Sequence, residues 1–194
     1  MWIRRVFSHD SSKLEALLLS LGPEDRRFRF SGHVRDETIV KYVQNLRWRQ
    51  ICLYGMFDRS GNLLGAVELV PTPSGTELAI EVAPAHKRKG IGRALMARAM
   101  VHAKMRGYRK LQILCSSDNK AMQKLAEGVG MKLTREYGDV EGRVKVGRAT
   151  PADYMAATWF RFDETVASSV QWADAAMATY LAALRGFRSS AARD

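Results

Sequence analysis

The sequence predicts an α/β domain: a mixed, mostly antiparallel sheet with one parallel central pair, flanked by helices and followed by a C-terminal helical extension. Three observations carry this. Strand-length apolar runs at 51–57, 63–70 and 77–82 are joined only by the turns Asp58-Arg59-Ser60-Gly61-Asn62 and Pro71-Thr72-Pro73-Ser74-Gly75, the spacing of an antiparallel meander. A helical pattern over 90–106 then separates 77–82 from a short apolar run at 111–115, and a strand reached through a crossover helix is expected to lie parallel to the one it left. After residue 146 the sheet pattern is complete, yet a helical stripe recurs at 163–185.

The elements follow in order. Asp10-Ser11-Ser12 is a helix start, with Leu14, Leu17, Leu18 and Leu21 at helical spacing over 13–21 and Gly22-Pro23 as the stop. Residues 24–35 read as a polar loop rich in Arg26, Arg27, Arg29 and Arg35. Asp36 is expected to cap a second helix, to about 47, with Ile39, Val40, Val43 and Leu46 as its apolar stripe. The three meander strands come next. The helix from Gly90 turns Ile91, Leu95, Ala99 and His102 to one side, and Gly107 suits its C-terminus. Asp118 or Asn119 caps a helix ending near Gly128 or Gly130. Strands at 132–137 and 143–146 form a last hairpin around Gly138-Asp139. The expected division is a domain over 1–148 and a helical extension over 149–194. The extension's stripe, with Trp159, Phe160, Phe162 and Trp172, suggests packing on the core or pairing with a second subunit as a homodimer.

Composition narrows the class. Hydrophobic residues make up 46% of the 194 residues, enough for a core and against wholesale disorder. No apolar run approaches the roughly 20 residues that span a bilayer, so no membrane is expected. Ser8-His9-Asp10 interrupts any signal-peptide apolar region, so a cytoplasmic location is expected. Cys52 and Cys115 fall in strands and lack metal-ligand spacing, as do the four histidines, so no metal is expected. A net charge of +11 favours polyanions, nucleic acid or a phosphate-bearing ligand alike, but no nucleic-acid-binding motif is present.

The most informative segment runs from Glu77 to Leu95. A strand breaks at Pro84, passes through Lys87-Arg88-Lys89 and enters a helix at Gly90-Ile91-Gly92. A helix start leaves about four N–H groups unpaired and carries roughly half a positive charge, and glycines let a ligand approach the backbone. That arrangement suits phosphate oxygens. Lys87-x-x-Gly90-x-Gly92 resembles the [Gln/Arg]-x-x-Gly-x-[Gly/Ala] signature of the GNAT superfamily of acyl-CoA-dependent N-acyltransferases, with Lys at the first position. Three segments resemble the acetyltransferase domain of bacterial Pat-type protein-lysine acetyltransferases. They are Leu21-Gly-Pro-Glu-Asp-Arg-Arg-Phe-Arg-Phe-Ser-Gly32, Glu77-Leu-Ala-Ile-Glu-Val82 and Asn119-Lys-Ala-Met-Gln-Lys-Leu-Ala126.

The resemblance implies the GNAT fold and acetyl-CoA as co-substrate, with CoA held by Lys87, Arg88, Lys89, Gly90, Ile91, Gly92 and Arg93. It implies that Ile80 and Val82 offer their backbone to the pantetheine arm where the parallel strands splay, and that Asn119 reaches the same arm. An Asn before a helix is equally a cap. Glu77 is the favoured catalytic base by resemblance, with a solvated carboxylate as the alternative. Glu81 follows as a second candidate or a charge partner of the basic turn, and Glu68 as a third. Many family members carry a Tyr seven residues after the Asn, which protonates the departing thiolate. This chain has Ala126 there. The implied activity is acetyl transfer to a primary amine, a protein lysine or a small amine, by direct attack in a ternary complex. The alternative is a CoA-sensing or interaction module without turnover.

Overall fold

Alternation at period two gives each strand of this chain two different faces, and helices cover both. The computed structural model describes residues 1–160. Its elements are β1 (Trp2–Arg5), α1 (Ser11–Leu19), α2 (Pro23–Phe30), α3 (Asp36–Gln44), β2 (Cys52–Phe57), β3 (Leu63–Thr72), β4 (Gly75–Val82), α4 (Ile91–Met105), β5 (Lys110–Ser116), α5 (Lys120–Gly128), β6 (Lys132–Glu136) and β7 (Asp139–Lys145). The strands form one sheet in the order β1-β2-β3-β4-β5-β7-β6. Every neighbouring pair is antiparallel except β4 and β5, as the crossover through α4 requires.

On one face, Tyr54, Val67, Leu69, Leu78, Leu111 and Ile113 meet Leu95, Met96 and Ala99 of α4 and Ala126 of α5. On the other, Leu53, Phe57 and Ala66 meet Leu14, Leu17 and Leu18 of α1 and Ile39 and Val43 of α3. Register places Glu77, Ala79 and Glu81 of β4 on this second face, beside Val70, Glu68 and Ala66 of β3. All three acidic candidates therefore share the face that α1 to α3 cover.

Two elements depart from the sequence expectation. Residues 24–35 were expected as a loop, but Pro23–Phe30 forms α2. Pro stands in its first turn, with Glu24 and Asp25 near its start and Arg27 and Arg29 in its last turn, the charge order a helix dipole favours. With no fully buried residue, α2 lacks the apolar stripe by which helices are recognised in sequence. The second addition is β1, an edge strand whose Trp2 and Ile3 are buried against β2.

Smaller corrections concern caps. Asp10 stands at the α1 N-cap position, but its carboxylate makes no cap bond and instead takes two 2.7 Å hydrogen bonds from Arg4. Asp36 lies inside α3, whose N-cap is Arg35. Gly107, with φ 69°, follows the end of α4 as expected. Residues 151–160 are helical, and the Lys104 ammonium of α4 reaches Asp153 at 2.8 Å. The Arg98 guanidinium lies 4.9 Å from the Phe160 ring centroid. The helix expected over 163–185, and any subunit contact through it, lies outside the described residues.

Candidate active site

The site begins where the sheet opens. β4 and β5 pair only at Thr76↔Leu111 and Glu77↔Gln112, although β4 continues to Val82 and β5 to Ser116. Past that last rung, the backbone of Leu78 to Val82 has no ladder partner on the β5 side. Buried peptide groups are almost always hydrogen-bonded, so an edge left open inside a sheet suits an extended, amide-bearing ligand. Ile80 and Val82 lie along this edge, with their side chains packed against the core on the α4 face.

At the far end of that cleft, β4 passes through a short turn, Pro84–His86, into α4. Gly90 is the N-cap of α4, with φ 80°, a left-handed conformation that disfavours other residues. No side chain caps this helix, so the N–H groups at its start face outward without an internal partner. A Cβ on Gly92 would stand 3.1 Å from a Leu125 methyl, so a glycine there lets α4 seat against α5. Lys87, Arg88, Lys89 and Arg93 are exposed around this helix start. The residues present fit the diphosphate of a CoA thioester: unpaired amides, a helix dipole and four nearby cations. Lys87 is already engaged, its ammonium 2.5 and 2.6 Å from the two carboxylate oxygens of Asp25 in α2. Lys89 donates to the Ala85 carbonyl at 3.0 Å.

Across the cleft, the Asn119 side chain accepts a 3.0 Å hydrogen bond from the Met122 amide and so caps α5. Ala126 is fully buried in the core, so no acidic group stands at that position. Arg27 of α2 approaches Asp118 at 3.6 Å. Through Asp25 and Arg27, α2 touches both sides of the open cleft.

The carboxylates differ sharply in surroundings. Glu77 is partly exposed and, among the described residues, its side chain makes no hydrogen bond or ion pair. It lines an open groove of about 990 Å³ between the sheet and α3. Glu81 is buried and is not the partner of the basic turn. Its carboxylate takes a 3.0 Å hydrogen bond from Arg29 Nε, and its Oε1 has no partner. Arg29 also donates to Glu68 at 2.5 Å and to the Tyr42 hydroxyl at 2.8 Å, and that hydroxyl donates to Glu68 at 2.5 Å. One guanidinium thus serves two buried carboxylates. Burial pushes Glu81 up to about 7; Arg29 opposes the rise and the neighbouring Glu68 adds to it. Burial also raises the Tyr42 hydroxyl, with Glu68 reinforcing the shift against Arg29.

Sequence reasoning placed Arg29 in a polar loop and passed over Tyr42. The available signal was the polar stripe Thr38, Lys41, Tyr42 and Asn45, at helical spacing along α3 and its C-cap; all four line the groove. Cys52 and Cys115 are free and buried, and burial raises both thiols, which removes them as nucleophiles at neutral pH. Among the described residues, no His, Cys, Asp and Glu cluster could hold a metal ion, and no helix is long and apolar enough to cross a membrane.

A sheet opened at its single parallel pair, with an uncapped helix start at one end and a carboxylate-bearing groove at the other, is an arrangement suited to a phosphate-bearing donor. A model of the acetyltransferase (GNAT) family matches residues 21–131, and the chain belongs to that family, whose members use acetyl-CoA. Solved structures agree on the fold. The GNAT domain of S. lividans PAT is 19% identical with a TM-score of 0.62, covering 74% of this chain and 89% of that one. The spermidine N-acetyltransferase from Vibrio cholerae, in complex with CoA and spermine, is 20% identical with a TM-score of 0.60, covering 74% and 94%. A ribosomal-protein-alanine N-acetyltransferase from Brucella melitensis is 19% identical with a TM-score of 0.59, covering 75% and 99%. No curated protein matches the chain significantly.

Proposed function

We propose that this acetyltransferase acts on a primary amine, a protein lysine first and a small amine next, with Glu77 as the base. One observation carries the reading. The Glu77 backbone forms the last rung of the β4–β5 ladder and its side chain lines the groove on the helix-covered face, which supports reading the donor cleft and the acceptor groove as adjoining at this residue. Acetyl-CoA supplies the thioester when bound. The amides at the start of α4, with Lys87, Arg88, Lys89 and Arg93, would hold its diphosphate. The open edge of β4 at Ile80 and Val82 would hold its amide-bearing arm. Asn119 keeps its cap and can add a contact from the far side.

A lysine-type amine has a pKa of about 10.4 and is mostly protonated at neutral pH, so it must lose a proton before it can attack. Glu77, open to the groove and unpaired, can take that proton directly or through water. Glu81 is less suited, because its carboxylate is committed to Arg29 and sealed from the groove. No general acid is assigned to the departing thiolate, whose own modest basicity lets it leave unprotonated. The buried free thiols of Cys52 and Cys115 support the cytoplasm as the compartment.

Incubation with acetyl-CoA and an amine panel, read by thiol release, tests this. Glu77→Gln is expected to lower kcat at pH 7 by roughly 100-fold, with CoA affinity changed less than about twofold. Full turnover in that variant would remove Glu77 from the mechanism. The core alanine at 126 favours one second reading, a CoA-binding module without turnover, and CoA binding without thiol release from any acceptor would establish it.

A further inference from the structure

The groove that holds Glu77 carries both signs of charge. Its sheet floor presents Glu68 and Glu77, and its helical wall presents Lys41 of α3 and Arg47 just beyond that helix. Glu68 accepts hydrogen bonds from Arg29 and Tyr42, which leaves Glu77 as the floor carboxylate without a partner among the described residues. Opposite, Lys41 is exposed, and its ammonium has no partner among the described residues. Among the described residues Arg47 makes a 3.5 Å hydrogen bond to the neutral Gln50 and no ion pair, so no charge there matches its own. The groove therefore opposes one free carboxylate to two free cations.

We infer that the acceptor is an amine carrying an anionic group beside it: a lysine flanked by acidic residues, or a free amino acid. Its ammonium meets Glu77, and its carboxylate meets Lys41 and Arg47. This rests on reading the groove as the acceptor site. A polyamine satisfies Glu77 but brings its second charge toward Lys41 and Arg47, where like charges repel and, among the described residues, no other unpaired carboxylate lines the groove. Exposed pairs of this kind change affinity by a few-fold each, so two rim cations together give roughly 10-fold discrimination. The groove is open to solvent, so salt screens the preference, with a Debye length of about 8 Å at physiological ionic strength.

The test uses the full chain, acetyl-CoA and thiol release at low salt. The acceptors are an end-capped lysine peptide flanked by glutamates, the same peptide flanked by arginines, spermidine, and free lysine. The acidic peptide or the free amino acid is expected to exceed spermidine and the arginine-flanked peptide by roughly 10-fold in kcat/KM, and the better of the two identifies the source. Lys41→Glu combined with Arg47→Glu should invert the order, with CoA affinity unchanged. Equal rates for every amine, a preference for spermidine, or an order indifferent to the charge swap would overturn the inference while leaving the acetyltransferase reading intact. Absence of release from all acceptors by a protein that binds CoA would overturn both.

Discussion

Replacing Arg29 by methionine removes the one cation between two buried carboxylates and keeps most of the side-chain volume. Arg29, Glu68 and Glu81 have side chains only 11%, 5% and 2% exposed, so water cannot take over the lost contacts. Breaking a buried pair of this kind costs about 3–5 kcal/mol. For a domain of this size each kcal/mol lowers Tm by roughly 2–4 °C, so a fall of about 6–20 °C is expected at pH 8. The loss should shrink at acid pH, for a reason whose sign is fixed. Glu81 is raised from 4.5 to about 7 in the native state, so its favourable proton binding is complete below pH 4.5 and is lost as pH rises through 7. Without Arg29 the Glu81 carboxyl loses the cation that opposes its rise, and the penalty of ionising it grows with pH. Thermal unfolding followed by circular dichroism between pH 5 and 8 measures this. Adding Glu68→Gln and Glu81→Gln should recover much of the stability at pH 8. A Tm loss independent of pH, or no recovery in the triple variant, refutes the idea that one guanidinium neutralises the pair.

Other consequences can be checked on the cofactor side. Gly90→Glu places a carboxylate at the uncapped start of α4 and forces a non-glycine residue to φ 80°, so calorimetry should show CoA affinity reduced by at least 10-fold. Asp25→Asn frees the Lys87 ammonium from its bidentate partner and should tighten CoA binding by roughly two- to fivefold at low salt, with no gain at high salt. Asn119→Ala removes the α5 cap bond and should cost about 1 kcal/mol of stability by denaturant titration. If Asn119 also reaches the cofactor arm, CoA affinity should fall in the same variant.

Legibility followed the kind of signal each element carries. The β2–β4 meander, α4 and β5 were readable because their apolar periods are long and punctuated by Gly, Pro and Asn. Lys87-x-x-Gly90-x-Gly92 was readable because an anion-binding helix start is a local feature of backbone and charge. The partners of the acidic residues were not. Glu81 meets Arg29 across 52 positions of sequence, and Glu68 meets Tyr42 across 26, distances over which charge alone gives no pairing rule. The α2 helix was hidden by its polar composition. The β1 strand was passed over because Met1 to Arg5 was weighed only as a targeting segment. The opening of β4 from β5 was expected by resemblance alone, since it depends on where a ladder stops and not on which residues form it.

The attachment of α2 has a dynamic consequence. Arg26 donates to the Leu19 and Leu21 carbonyls at 2.7 and 2.9 Å, Arg29 reaches the sheet, and Asp25 and Arg27 reach Lys87 and Asp118. A helix held mainly by polar contacts, with Phe30 its one side chain packed on the apolar cluster and no residue fully buried, has its own opening equilibrium. Its amides should exchange with deuterium ahead of those in α4, and raising ionic strength should quicken them while leaving α4 unmoved.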